Sequence, residues 1–447
     1  MGLSAMAARL AKAFLILLAV GLLAFNFVRI IQKPIGDFHN HWLLGYNLLH
    51  GHSLYLGRGA QTPAERNPYP PFWALAHAPL TVVSAHQAQI IGFLPMYLGA
   101  LGLLLWTLTR LTRPHFPIVN SAARFWILAI PMLVALRFLS RDLSECGANI
   151  GLVALAWFAI YSWTRDRDWL AGASLGLAIA LKMTAGLFLP YFLWKRQWKM
   201  ALATIAFAAA FSLSPVLVRG PTRFANDLRE WSAVVRAGHT GNPLIGVLGA
   251  ATTNNFSLRP ALGRLLMKSP TDPENPVSPK LLDLPPRAAS IIVDAIELSL
   301  LIAFAWIVRR PVTDRHDLTI LYECAAVSLL ILLLSPITWG HHCVGTLPAL
   351  VLIFLTGLSY RGLPRWMLVL VAYILLTLLL NRAFIGKDLS LLVSNFSPVT
   401  WEIVCLLALT LGCGALVLSA PRAVDIHRQA NPAASDPMPH PQHHFEA

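Results

Sequence analysis

Apolar residues run along this chain in long blocks divided by short basic or polar stretches, and rarely at the three-and-four spacing of an amphipathic helix. Blocks of that length suit helices that cross hydrocarbon. The first runs from Ala13 to Ile31, continuing through Phe25, Phe27 and Ile30, which is too long for a cleaved signal core. Further candidate spans lie near 88–109, 122–139, 149–163, 169–181, 184–194, 200–219, 288–308, 317–334, 343–359, 366–380 and 399–419. The pattern predicts an all-α integral membrane protein, a multi-pass bundle of about 12 transmembrane helices. Residues 1–420 then form one domain, and 421–447 a Pro/His-rich tail predicted to be disordered, whose His440, His443 and His444 have no assigned task.

Basic residues set the orientation. Arg9 and Lys12 precede the first block; Arg110, Arg113 and Arg124, then Arg165 and Arg167, then Lys195, Arg196 and Lys199 mark successive inside loops. Arg309, Arg310 and Arg315, then Arg361 and Arg365, and finally Arg422 and Arg428 complete the set. All fall on one side, with both termini cytoplasmic, if Tyr69–Val83 with Pro70, Pro71 and Pro79 does not cross. Residues 169–194 have basic flanks at both ends but are too short for two full spans, which need about 20 residues each. They predict a pair of half-length helices with Lys182 near the apex. A lysine is costly in hydrocarbon and useful in a wet cavity open to the outside. The outside segments are then 33–87, 140–148, 220–287, 335–342 and 381–398, of which 33–87 and 220–287 are long enough to suggest function. The second is Pro-rich, from Pro270 to Pro286, and reads as an ordered or semi-ordered loop.

Composition agrees. Of 447 residues 56% are hydrophobic and 13% charged, and mean hydropathy is +0.60, which excludes a soluble enzyme, a secreted disulfide scaffold and a disordered chain. The net charge of +14 would suit a nucleic-acid binder, but the cations flank apolar blocks, so no nucleic-acid partner is expected. Cys146, Cys324, Cys343, Cys405 and Cys413 show neither CxxC nor zinc-like spacing, so neither a disulfide framework nor a metal cluster is indicated.

Three polar clusters carry candidate chemistry. Asp37 follows the first block in Gly36-Asp37-Phe38-His39-Asn40-His41-Trp42; a carboxylate at the membrane lip can take a proton from a polar acceptor, or simply be solvated. Tyr55, Tyr69 and Trp42 lie downstream, with Gly51 at a turn, and could equally be interfacial anchors. Ser335-Pro336-Ile337-Thr338-Trp339-Gly340-His341-His342 breaks a span at Pro336. Adjacent histidines point in different directions on a helix, so one can contact a phosphate or sugar while the other packs. Thr252 to Leu258, with Asn255 and Ser257, precedes Arg259 and Arg264, and amides beside guanidiniums suit a polyol or phosphate. Asn255-Phe256-Ser257 and Asn395-Phe396-Ser397 also match the glycosylation sequon. Arg141, Asp142 and Glu145 in 140–148 are possible polar contacts.

In order and side, these features resemble the bacterial polyprenyl-phosphate-dependent glycosyltransferases of family 87, which have the GT-C fold and include mycobacterial-type α-1,2-mannosyltransferases. The likeness runs from about residue 30 to 360: Asp37 with Gly51 and Tyr55, Tyr69-Pro70-Pro71 with Pro79-Leu80, and Lys182 ahead of Lys195-Arg196-Gln197-Trp198. It continues with Asn255, Ser257 and Arg264, and ends with Ser335-Pro336 through Trp339 to His341-His342, its most specific part. One departure is Cys146-Gly147-Ala148-Asn149, where the family often has Gly-Gln-x-Asn.

The resemblance implies transfer of a hexose from a polyprenyl-phosphate sugar to a lipid or glycan acceptor on the outer face of the cell membrane, with inversion. Asp37 is then the general base, and Lys182 and Arg264, assisted by His341 or His342, steady the departing phosphate. Asn255, Ser257, Tyr55, Tyr69 and Trp339 complete the expected substrate site. No cofactor and no metal are expected. The competing classes are a transporter or flippase of lipid-linked saccharides, which would show internal two-fold similarity that the chain lacks, and a non-catalytic scaffold.

Overall fold

The structure, a computed structural model, describes residues 3–32, 36–55, 68–116, 121–237, 241–245, 253–268, 279–360, 363–380 and 382–419. Thr252, Arg361, the prolines Pro270, Pro273 and Pro276 and the tail 421–447 lie outside the described residues. Among those described, the regular elements are helical. α1 (Leu3–Gln32) leads into the short α2 (Phe38–Leu49) and α3 (Pro71–His77), followed by α4 (Ala85–Thr112), α5 (Ser121–Val134) and α6 (Leu136–Glu145). Next come α7 (Asn149–Thr164), α8 (Asp168–Leu181), α9 (Met183–Trp194), α10 (Trp198–Arg219), α11 (Pro221–Ala237) and α12 (Leu258–Leu266). The chain closes with α13 (Pro286–Ile307), α14 (Leu318–Leu334), α15 (His342–Ser359), α16 (Arg365–Leu379), α17 (Arg382–Ser394) and α18 (Pro398–Ser419).

Among the described residues, α4, α10, α13, α15 and α18 are the 5 helices long and apolar enough to cross a membrane, or up to 7 if each bent pair, α6–α7 and α16–α17, is one span. The periphery is apolar. Leu298, Ile302 and Trp306 on α13 and Leu368 and Val369 on α16 are exposed, an outward face suited to hydrocarbon rather than water. The interior is built on α7 and α14, most of whose side chains are buried.

Small residues let α8 and α10 meet at backbone distance. A Cβ on Gly172 would stand 2.4 Å from the Ala203 Cβ, and one on Gly176 would stand 2.7 Å from the Ala208 nitrogen. Glycines four apart on one helix face give this close approach where no hydrophobic drive separates helix from lipid.

The half-length pair expected over 169–194 is present. α8 has 14 residues, about 21 Å at 1.5 Å per residue, well short of about 30 Å of hydrocarbon. Lys182 is extended (φ −152°, ψ 116°) between α8 and α9, and Trp163 Nε1, ahead of α8, donates to Gln197 Oε1, beyond α9, at 3.2 Å, so the chain turns back between them.

Several segments expected as loops contain helix. The helix of 121–134 stops before Ala135, and α6 then runs to Glu145, so 140–145 is helical rather than loop. α6 buries Phe138, Leu139, Asp142 and Leu143 on one face, an amphipathic pattern that a search for apolar blocks passes over. α11 and α12 likewise lie within 220–287, and α17 within 381–398. Pro71 opens α3 at its first turn, where a missing N–H costs nothing.

Candidate active site

A cavity of about 550 Å³ opens where α2, the Pro68–Pro70 segment, the α8–α9 turn, α11, α14 and the 335–341 segment converge. Asp37, Tyr69, Lys182, Trp339, His341 and His342 line it. Met183, Leu187, Pro190 and Leu334 form an apolar wall, and Trp231 and Val235 of α11 close one side. A smaller hollow of about 60 Å³ continues from Lys182 toward Trp157 and Phe188.

Asp37 reaches this cavity because of the turn before it. Gly36 has φ +63°, and a Cβ there would lie 2.4 Å from the carbonyl carbon of Glu145, so glycine answers both the left-handed backbone and the close approach. The Asp37 N–H donates to the Glu145 carbonyl at 2.9 Å, fixing the base of α2 against the end of α6. Burial raises the Asp37 carboxyl above its ordinary value of 3.8, the Glu145 carboxylate adds to this, and Lys182 opposes it.

Lys182 is held by a relay. The Asp142 carboxylate, buried on α6, accepts the backbone N–H groups of Asn149 (3.2 Å) and Ile150 (3.0 Å), capping α7 from outside the helix. It also accepts the Asn149 side-chain Nδ2 at 2.9 Å. That contact turns Asn149 Oδ1 outward to accept from Lys182 Nζ at 3.0 Å. Nζ also stands 3.0 Å from His342 Nε2 and 5.5 Å from the centroid of the Tyr69 ring. The turn between α6 and α7 bends the pair by 117° and places Cys146 and Ala148 at φ 54° and 52°. A Cβ on Gly147 would come within 2.6 Å of Asn149 Nδ2 and Asp142 Oδ1, so no larger residue fits. The segment lacking the family's glutamine thus has a task, through its asparagine.

The histidine pair sits on a braced loop. His342 Nδ1 is 3.1 Å from the Trp339 backbone N–H, and His341 packs edge-on against Trp339 and His342 with centroids at 5.4 Å and 4.4 Å. Both histidines line the cavity, so the division of one contacting and one packed is not seen.

Four expected contact residues lie outside the lining. Asn255 accepts the Thr338 N–H at 2.9 Å, donates to the Pro336 carbonyl at 3.0 Å and accepts the Ser257 hydroxyl at 2.9 Å, so it and Ser257 hold the 336–338 loop from behind. Arg264 is 3% exposed and donates to Ser397 Oγ, its Nε at 3.0 Å. Burial lowers its pKa to about 10. The Tyr55 hydroxyl donates to the Tyr69 carbonyl at 2.7 Å and pins that residue in place. Amides, hydroxyls and guanidiniums bind substrate and protein alike; here backbone claims Asn255 and Tyr55, and other side chains claim Ser257 and Arg264. Asn255 and Asn395 are both buried, which removes the sequons as glycosylation sites. Asp142, in the sequence only a possible polar contact, orients Asn149, and the part Asn149 plays is not visible along the chain because Lys182 lies 33 positions away.

The opposite end of the bundle is basic. Arg110, Arg165 and Arg315 surround one hollow beyond the far end of α7, and Lys195 donates to the Arg310 carbonyl at 2.6 Å. With 16 residues in α7, that end lies about 24 Å from Asn149. Among the described residues no three His, Cys, Asp or Glu side chains are grouped to hold a metal ion.

Comparison with known proteins adds an independent line. The sequence profile of Glycosyltransferase family 87 matches residues 67–336. A polyprenol-phosphate-mannose-dependent alpha-(1-2)-phosphatidylinositol mannoside mannosyltransferase of Mycobacterium tuberculosis is 29% identical over 351 residues, 75% of this chain and 72% of the relative. Its namesake from Mycolicibacterium smegmatis is 30% identical over 318 residues, 68% and 64% of the two chains. A Mycobacterium tuberculosis protein named for phosphatidylinositol pentamannoside is 27% identical over 351 residues, 76% of this chain and 71% of its own. No solved structure matches the chain.

Proposed function

The chain belongs to glycosyltransferase family 87, and on that premise we propose that it is a membrane glycosyltransferase that moves a hexose, mannose by analogy with its relatives, from a polyprenyl phosphate to a glycolipid hydroxyl. The observation that carries this reading is the convergence of Asp37, Lys182, His341 and His342 on one cavity with an apolar wall. A volume of about 550 Å³ suits a sugar phosphate beside part of its acceptor.

In this mechanism the Asp37 carboxylate accepts the proton of the acceptor hydroxyl as its oxygen attacks the anomeric carbon. The bond from that carbon to the phosphate oxygen breaks on the opposite face, inverting the centre and releasing polyprenyl phosphate. Lys182, oriented by Asn149, balances the charge that gathers on the leaving oxygen, and the neighbouring imidazoles assist by hydrogen bonding. Arg264, outside the lining and bonded to Ser397, has no part in this step. The apolar wall of Met183, Leu187, Pro190 and Leu334 suits the lipid portion of the donor.

Sidedness belongs to the same proposal. Arg110, Arg165, Lys195 and Arg315 sit at the end remote from the cavity, which by the positive-inside rule favours an extracytoplasmic reaction and cytoplasmic termini. The shorter apolar helices α5 and α14 and the half-length pair α8 and α9, counted with α1 and the longer spans, support an arrangement of about 12 membrane helices.

The test is transfer by the purified protein from radiolabelled polyprenyl-phosphate mannose to a lipid-extract acceptor pool. Labelled glycolipid from the unaltered protein, and none from a folded Asp37→Asn variant, supports the reading. Near-normal transfer by that variant removes Asp37 as the base, and no transfer by the unaltered protein refutes the activity.

A further inference from the structure

The turn between α7 and α8 carries four charges that are not shared evenly. Asp166 and Asp168 both turn to Arg315, their carboxylates 3.3 and 3.1 Å from its Nη1. Arg165 and Arg167, on either side of Asp166, stay exposed. Among the described residues, neither they nor the exposed Arg110 of α4 form an ion pair or a side-chain hydrogen bond. These three arginines border one hollow of about 400 Å³, walled by Trp106, Phe158, Tyr161 and Leu170, and no carboxylate among the described residues lines it.

The walls put this hollow at the surface of a bilayer. Trp106, Leu170 and the adjacent Trp169 are exposed. α4 is long and apolar enough to cross a membrane, and Arg110 stands two residues before its end. Tryptophan and arginine together at the end of a span mark headgroup level. The rings steady the cations: Arg110 Cζ is 6.0 Å from the Trp106 centroid, Arg165 Cζ is 5.6 Å from that of Tyr161, and the two rings meet edge-on at 4.9 Å. Topology alone asks for cations near a span. It does not ask that three converge on one hollow while the neighbouring acids turn elsewhere.

We propose that this hollow binds the headgroup of an anionic phospholipid, its phosphate held by Arg110, Arg165 and Arg167 and its glycerol and first acyl carbons laid against Trp106, Phe158 and Leu170. Guanidiniums meet phosphate oxygens in pairs and give up water readily, and basic pockets between membrane helices take such headgroups. The volume falls in the range of small-ligand sites. A free phosphate would gain nothing from the apolar wall, whereas a lipid uses both halves of the hollow. The inference needs the membrane reading but not the transfer chemistry, whose cavity lies at the other end of the 16-residue α7, about 24 Å away.

Native mass spectrometry of the purified full chain, given equal amounts of dioleoylphosphatidylglycerol and dioleoylphosphatidylcholine, reads the ratio of the two as first bound lipid. Unaltered protein should favour the anionic lipid by about tenfold or more. The triple variant Arg110→Gln, Arg165→Gln, Arg167→Gln should lower that ratio by about fivefold or more. Lys199→Gln, Arg309→Gln, Arg310→Gln removes three cations from the same end but outside the hollow, and should keep it. Arg167→Glu alone, on an exposed turn, should also lower the ratio and serves where the triple variant does not purify as a monodisperse species. Each ratio is internal to one sample, so a lower folded fraction does not alter it. No preference in the unaltered protein, no fall in Arg167→Glu, or an equal fall in both triple variants overturns the site. Displacement of the lipid by an equal concentration of glycerol 3-phosphate marks a soluble-phosphate site and overturns the lipid assignment. Absence of sugar transfer bears on the proposed function and leaves the lipid ratio standing.

Discussion

Lys182 Nζ and Asn149 Oδ1 meet at 3.0 Å, joining the apex of the half-length helix pair to the first residue of the central helix α7. The amide can face the lysine only because Asp142 takes its other end. A cation in the membrane is thereby aimed by a carboxylate that does not touch it.

Asn149→Leu should therefore mislocate the amine without removing it. Hydrogen bonds to charged groups contribute about 1.5–3 kcal/mol, so kcat/KM for the lipid donor should fall by about 10- to 100-fold, and further in Lys182→Ala. Steady-state kinetics with varied donor and saturating acceptor check this. Unchanged donor dependence in Lys182→Ala would exclude the lysine from the site.

The pH profile should report on Asp37. A base works deprotonated, and its pKa lies above 3.8, so activity should fall on acidification through that raised value rather than through the ordinary one. Glu145 contributes to the rise, and Glu145→Gln should move the acid limb of kcat/KM to lower pH. A limb that stays in place or moves upward contradicts the coupling.

Asn255→Ala should behave differently from a change in the lining. It removes the support of the Thr338 N–H and the Pro336 carbonyl, leaving buried groups unmet at about 1–3 kcal/mol. Thermal stability and transfer should decline together, whereas Asp37→Asn should lose transfer alone. A melting curve beside an activity assay separates the two.

Gly36→Ala places a methyl against the Glu145 backbone and forces a left-handed residue that is not glycine. The backbone strain alone costs about 1–2 kcal/mol, and relieving the clash moves α2 from α6. Activity should be lost with Asp37 itself unchanged, read as transfer by variant protein that still elutes as a monodisperse species.

The parts of this molecule legible in the sequence are those with local causes. The apolar blocks marked the helices, the basic flanks of 169–194 demanded an even crossing in too few residues, and Lys182 stands at that turn. Asp37 and the histidine pair were visible as polar groups at the ends of apolar runs. α6, α11 and α12 were not, because each is amphipathic among strongly apolar neighbours, and α17 was not, because its apolar run is short. The division of the polar residues into lining and brace was also hidden. Asn255 and Asn149 are both buried amides beside an apolar run, yet one holds a loop and the other a lysine. Their partners lie 83 and 33 positions away, and no pattern along the chain encodes such pairings. The contact of the Trp73 indole N–H with His41 Nδ1 likewise joins residues 32 positions apart.

The wall formed by Met183, Leu187, Pro190 and Leu334 bears on how encounters occur. On the transferase reading, a substrate with a long hydrocarbon tail meets this surface without passing through bulk water. The search is then two-dimensional, and the governing concentration is the mole fraction of substrate in its leaflet. Adding inert lipid or detergent at constant total substrate thins that fraction and slows turnover, as surface dilution does for enzymes that feed from an interface.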